Sequence, residues 1–201
     1  MKQIIQDFLD NVLGKLLYDN DVYNEFSLQH ELGIYLRNAL GKDYKVQFER
    51  NVNDTDVFGT SFSSVKKEMD IYIFNIDKEK EEVKERYAIE LKFPRNGQYP
   101  EQMYSFAKDI KFMEDVKVKA TGTYVVTLVE SKNFYSGSFS TGSIYEYFRG
   151  NKPINGCIYK PTGIGKGTSS VHIGGKYPIV WNPVLFGGAS YMSYKYYFVE
   201  M

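Results

Sequence analysis

Cysteine is almost missing from this chain: Cys157 is the single one among 201 residues. One thiol excludes an intrachain disulfide and any cysteine-based zinc cluster. No apolar run is long enough to span a bilayer, and the first residues lack the charged, apolar and small-residue segments of a secretory signal. The expectation is a cytoplasmic protein with no membrane partner. A phosphate-binding P-loop is missing too. In the glycine-rich stretch 161–175, Gly165-Lys166 is followed by Gly167, and no glycine precedes at the required spacing. That stretch reads as a flexible turn, and His172 within it has no visible partner.

Net charge is absent overall, with 25 basic and 25 acidic residues. The balance hides an asymmetry. Residues 1–100 hold 14 basic and 18 acidic side chains, a net −4, and residues 101–201 hold 11 and 7, a net +4. Between Val116 and Val199 nine Lys/Arg face only Glu130 and Glu146. This basic part is either a nucleic-acid surface or an ordinary basic surface that offsets the acidic half. Aromatics are abundant, 18 Tyr and 14 Phe, which argues against disorder. A chain of this length buries about 70% of its unfolded surface. The organisation expected is one domain over 1–201.

The chemistry concentrates in residues 68–92. The runs EMDIYIFN and RYAIELKF flank DKEKEEVKER, in which only Val83 is uncharged. Such a segment is solvated, so the two runs predict an antiparallel hairpin. In the second run Tyr87, Ile89, Leu91 and Phe93 alternate with Ala88, Glu90 and Lys92. A hairpin folded about residue 80 sets Asp70 opposite Glu90 and Glu68 opposite Lys92. Directly opposed residues share a face with Cβ atoms ~5 Å apart. Two carboxylates at that separation call for a proton or a cation between them. A hard cation with oxygen ligands, Mg²⁺ or Mn²⁺, suits them best. Lys92, one step along the same face, would hold or polarise a water there. These are the elements of phosphodiester hydrolysis.

Asp70, a 19-residue spacer, then Glu90-x-Lys92 resembles the signature of the PD-(D/E)XK, or restriction-endonuclease-like, nucleases. Met69 stands where the family's name has proline. The resemblance covers about residues 25–130 and implies an α/β (α+β) fold with an αβββαβ core, its mixed central sheet flanked by helices. It implies a magnesium-dependent nuclease acting on nucleic acid, DNA first. Asp70, Glu90 and the Leu91 carbonyl would ligate the metal, and Lys92 would position the attacking water. Many members carry an acid on the first core helix, and Glu31 is the matching position. Glu31 also sits on the stripe Leu28, Leu32, Tyr35, Leu36 and Ala39, where a buried carboxylate needs a partner; the alternative is a stripe-edge residue paired with a nearby Lys or Arg. Glu68 and Gln102 are secondary candidates, Gln102 by resemblance to a polar residue on the following helix. Many Type II restriction enzymes are dimers, so a homodimer is compatible with the resemblance, though no feature selects a dimer surface.

The remaining chain predicts a first helix over 3–18, weakened by Gly14, and a second over 24–40 with Asn24 as N-cap and Gly41 as stop. Strands are expected at 44–52, 67–76, 86–93 and 122–130, with a loop over 53–66 that borders a substrate groove or forms a variable hairpin tip. Pro100 opens a helix over 100–117. That helix is the crossover to 122–130, an apolar run suited to a strand buried on both faces. Residues 131–201 form a β-rich, aromatic and glycine-rich extension with a helical turn near 144–149 and strands near 177–182 and 191–199. The competing functional reading is a catalytically silent domain of the same fold that binds nucleic acid or protein. In it Glu68 and Lys92 form a cross-strand ion pair, and Asp70 and Glu90 are solvated.

Overall fold

Strand β4, Gly122–Val129, is buried along its whole length, and the rest of the molecule is layered around it. The structure is a computed structural model that describes residues 1–53, 68–77 and 82–201. The predicted loop over 53–66 falls almost wholly outside these residues. On one face β4 presents Val125 and Val129 and on the other Tyr124, Val126 and Leu128, as the two-residue period of a strand requires.

A six-stranded mixed sheet runs in the order β1-β2-β3-β4-β8-β7. Its strands are β1 Tyr44–Asn51, β2 Glu68–Asp77, β3 Glu82–Lys92, β4, β7 Asn182–Phe186 and β8 Ala189–Glu200. Strands β1, β2 and β3 are successively antiparallel, and β3 and β4 are parallel. Helix α3, Tyr99–Lys117, makes the crossover that a parallel pair demands, with Pro100 in its first turn. Strand β8 returns antiparallel to β4 and pairs with β7. The expected order helix, three strands, helix, strand is thus present from α2, Glu25–Leu40, through β4. The carboxy-terminal extension is not an appendage to this sheet, because β7 and β8 complete it.

Two apolar clusters fill the two faces. Under α3, Met103, Phe106 and Ile110 pack with Ala88, Val125 and Tyr197. On the other face, residues 2–18 and α2 cover Ile71, Ile89 and Leu91. The first helix, α1, is continuous but carries a π-helical turn, Phe8–Val12, between Lys2–Asp7 and Leu13–Tyr18. Gly14 costs α1 helix propensity, yet it is required: a Cβ there would lie 1.9 Å from the Leu185 carbonyl oxygen of β7. Helix α2 starts as expected. Ser27 N–H donates to Asn24 Oδ1 at 2.8 Å, and Asn24 N–H donates to Ser27 Oγ at 3.0 Å.

Several boundaries differ from expectation. The hairpin ladder continues to Asp77↔Glu82, well into the charged segment, because a charged residue keeps the backbone N–H and C=O that a ladder needs. The glycine-rich stretch is not all turn. Strand β6, Ser170–Tyr177, pairs with β5, Ile154–Tyr159, in a separate sheet. Glu114 of α3 fixes it there, accepting from Gly174 N–H at 3.1 Å, Gly175 N–H at 2.6 Å and the Tyr177 hydroxyl at 3.0 Å. A contact from another element thereby overrides weak local strand preference. Cys157 lies opposite His172 in this sheet, Sγ to Nδ1 3.5 Å, so His172 does have a partner.

Candidate active site

The β2–β3 register is the one expected from Ile71 to Asn75, and a bulge between Asn75 and Ile76 shifts it by one residue toward the hairpin tip. Ile71 pairs with Ile89 and Ile73 with Tyr87, which sets Asp70 toward Glu90. The ladder ends at Ile71↔Ile89, and side chains take over from backbone beyond it. Leu91 N–H donates to Asp70 Oδ2 at 2.7 Å, and Asp70 N–H approaches Glu90 Oε1 at 3.4 Å. The Asp70 carbonyl accepts from Gln29 Nε2 at 2.6 Å. Backbone and side chain of Asp70 are therefore all held, one from each of three directions.

Glu90 is fully buried, on the face that α3 covers. Two residues on, Lys92 is mostly buried, and its ammonium lies between two acids from opposite helices. Lys92 Nζ donates to Glu25 Oε1 of α2 at 2.7 Å and stands 4.0 Å from Asp109 Oδ2 of α3. Asp109 is itself buried. Taking carboxylates out of water is costly, and a shared cation offsets that cost. Glu25 also accepts from Phe93 N–H at 3.1 Å through Oε2, so it grips the end of β3 at two points. Burial drives the Tyr197 hydroxyl, beneath α3, far above the usual tyrosine range, and the Asp109 charge adds to the shift.

Glu49 completes the group. In β1 it falls between Phe48↔Ile71 and Arg50↔Met69, level with Asp70. Its backbone is left-handed, φ 49°, a conformation that costs a non-glycine residue about 1–3 kcal/mol. Its Oε1 accepts from Gln29 Nε2 at 2.5 Å. Glu25, Phe26, Gln29, Glu49, Asp70 and Leu91 line a cleft of about 220 Å³.

Glu31 is not part of this cleft, and this corrects the sequence-based expectation. The buried stripe of α2 runs through Leu28, Gln29, Leu32, Gly33 and Leu36, while Tyr35 is half-buried and Ala39 is exposed. At ~100° per residue, Glu25 and Gln29 lie within ~40° of each other on that stripe, and Glu31 is ~120° round from Glu25. Glu31 instead pairs with His30, Oε1 to Nδ1 3.1 Å. A carboxylate from the first core helix does face the site, but it is Glu25. Its signal was an acid and an amide at i and i+4 beside the apolar stripe, a weak one because first-turn acids are common at helix starts. Glu49 carried no separate signal, since it fits the polar positions of an alternating strand.

Glu68 lies at the exposed start of β2, level with Asn51 of β1 rather than bridged to Lys92. The cross-strand ion pair between Glu68 and Lys92 is replaced by the Glu25–Lys92 pair as the contact that fixes the lysine. Gln102 sits in the first turns of α3 and donates from Nε2 to Asn96 Oδ1 at 3.1 Å. It supports the turn after Lys92.

As ligands, the Asp70 and Glu90 carboxylates and the Leu91 carbonyl are an all-oxygen set that suits Mg²⁺ or Mn²⁺. Among the described residues, no group of three or more His, Cys, Asp or Glu is arranged to hold a metal ion. Magnesium sites of one or two carboxylates, completed by waters and substrate phosphates, need no such group. Also among the described residues, no helix is long and apolar enough to cross a membrane. Comparison with protein-family models, with curated proteins and with solved structures returns no match.

Proposed function

We propose that this chain is a metal-dependent nuclease of the restriction-endonuclease-like kind, hydrolysing phosphodiester bonds in nucleic acid, DNA first. The observation that supports it most is the end of the β2–β3 hairpin. Asp70 is held by the Leu91 N–H at 2.7 Å where the ladder opens, its own N–H approaches Glu90 Oε1 at 3.4 Å, and Lys92 follows two residues after Glu90 on the same strand. The order α2, β1, β2, β3, α3, β4 around that point is the order the reading requires.

In this reading Asp70, Glu90 and the Leu91 carbonyl hold Mg²⁺ or Mn²⁺. The ion supplies Lewis-acid stabilisation of charge at phosphorus. Lys92 orients the attacking water and stabilises the negative charge that develops. Glu25 and Asp109 keep the ammonium in place. Gln29 fixes Asp70 through its carbonyl, and Glu49 through a shared amide.

Plasmid, linear DNA, single-stranded DNA and RNA incubated with Mg²⁺, Mn²⁺ or EDTA test the proposal. Wild type should cut at least one substrate only with metal, and Asp70→Asn and Lys92→Ala should lower the rate on the order of 10²-fold or more. Variants that cut as well as wild type would sink it.

A second reading, a silent domain of the same architecture, is favoured by one feature: Asp70, Glu25 and Glu49 are already engaged by Leu91, Lys92 and Gln29. Titration calorimetry with Mn²⁺ separates the two. Heat of binding that Asp70→Asn abolishes supports the nuclease, and its absence in wild type supports the silent domain.

A further inference from the structure

Beyond Lys92 the chain turns through Phe93 and Pro94 into a second, larger cleft of about 480 Å³. It lies where the parallel strands β3 and β4 both end, and Ser193 of β8 closes its far side. Crevices at the carboxyl ends of parallel strands are where such sheets bind ligands. The lining mixes polar and apolar groups: Arg95, Asn96, Tyr99, Glu130, Ser131 and Lys132 stand beside Pro94 and Phe134. Two are cations and one is an anion.

Arg95 is oriented for a forked contact with an anion. Its guanidinium lies 5.0 Å over the Phe93 ring, which limits its orientations. Its Nη1 bonds Glu130 Oε2 at 3.0 Å, with both side chains nearly half exposed. A pair that wet is weak and readily exchanged. Guanidinium binds phosphate in the same forked geometry as carboxylate, so a phosphate can take the place of Glu130.

We propose that this cleft is a phosphate subsite for the nucleic-acid strand, contacted by Arg95 and Lys132, with Glu130 as the anion that substrate displaces. The proposal rests on the nuclease reading and adds where the strand lies. Arg95 follows the end of β3 and Lys132 the end of β4, one and two strand spacings from Asp70 on β2, about 5 and 10 Å. That is about one to three nucleotide steps at ~3.4 Å each. In this arrangement a strand cut beside Lys92 places its flanking phosphates over Arg95 and Lys132.

Fluorescence anisotropy of a labelled DNA duplex and of a labelled single strand, in EDTA and across a salt series, tests this. Arg95→Gln and Lys132→Gln should each weaken binding roughly threefold to tenfold and lower the salt slope by about 0.9. Glu130→Gln should tighten binding by removing the competing anion. Lys15→Gln, on the exposed side of α1, should change nothing. Weakening by Glu130→Gln as well as Arg95→Gln would mark a structural ion pair and overturn the proposal. If wild type cleaves with metal while Arg95→Gln and Lys132→Gln keep its KM and salt slope, this subsite alone falls. If wild type neither binds nor cleaves any nucleic acid, the nuclease reading falls with it.

Discussion

Replacing Glu25 by alanine removes two contacts at once. The bond to Lys92 Nζ is charge-assisted at 2.7 Å, but Glu25 is 41% exposed and Lys92 16%. Solvent screening brings that pair down to about 0.5–1 kcal/mol. The Phe93 N–H loses its acceptor in a residue only 2% exposed, which costs about 1–2 kcal/mol. Together the loss is about 2 kcal/mol, or ~4–8 °C in Tm for a domain of this size. Glu25→Gln keeps an acceptor for Phe93 and should cost less than half as much. Glu31→Ala removes only a contact with its neighbour His30 and should stay within ~0.5 kcal/mol. Urea denaturation followed by circular dichroism, with an unchanged m-value, reads these differences. If Glu31→Ala costs as much as Glu25→Ala, the rotational setting of α2 given above is wrong, and the assignment of its acid to the site goes with it.

Gly14→Ala should destabilise by about 1–3 kcal/mol despite the gain in helix propensity, since the new methyl meets a backbone carbonyl; a rise in Tm would contradict the packing of α1 on β7. Glu114→Ala should cost about 1–3 kcal/mol by leaving the N–H groups of Gly174 and Gly175 without their carboxylate, and hydrogen exchange should quicken in β6 before it does in β4. At alkaline pH, burial raises the hydroxyls of Tyr124, to about 12, and of Tyr196 and Tyr197, further still. Their stabilisation is complete below the unfolded value of about 10 and is lost as pH rises through the folded values. Each weakens the fold by about 1.4 kcal/mol per pH unit in that window. Denaturation midpoints that stay level from pH 10 to 12 would refute this.

The hairpin was legible because its information is local. Alternation fixed which residues of β3 share a face, and a symmetric fold about residue 80 set the register that places Asp70 toward Glu90. The largely apolar run of β4 announced a strand with both faces covered, and Pro100 marked the start of its crossover helix. Less was legible in α2. Leu28, Leu32 and Leu36 fit a stripe centred on either side, and the sequence period alone could not choose between Glu31 with Tyr35 and Glu25 with Gln29. Packing chose, since Gly33 lets Phe48 approach to where its Cβ would be, 2.2 Å from the ring. That close approach turns Gln29 and Glu25 toward the end of β3.

What the sequence by itself determined, then, was the hairpin, its register and the residues Asp70, Glu90 and Lys92 at its open end. These follow from periods of two residues and from charges that must stay in water. Only the tertiary structure decided that Lys92 lies between Glu25 and Asp109, that Glu49 stands level with Asp70, and that Glu114 draws a glycine-rich segment into a strand. Each of those contacts joins elements distant in sequence. A side chain's partner across such a distance depends on how helices rotate and pack on the sheet, and no local pattern of residues encodes that rotation.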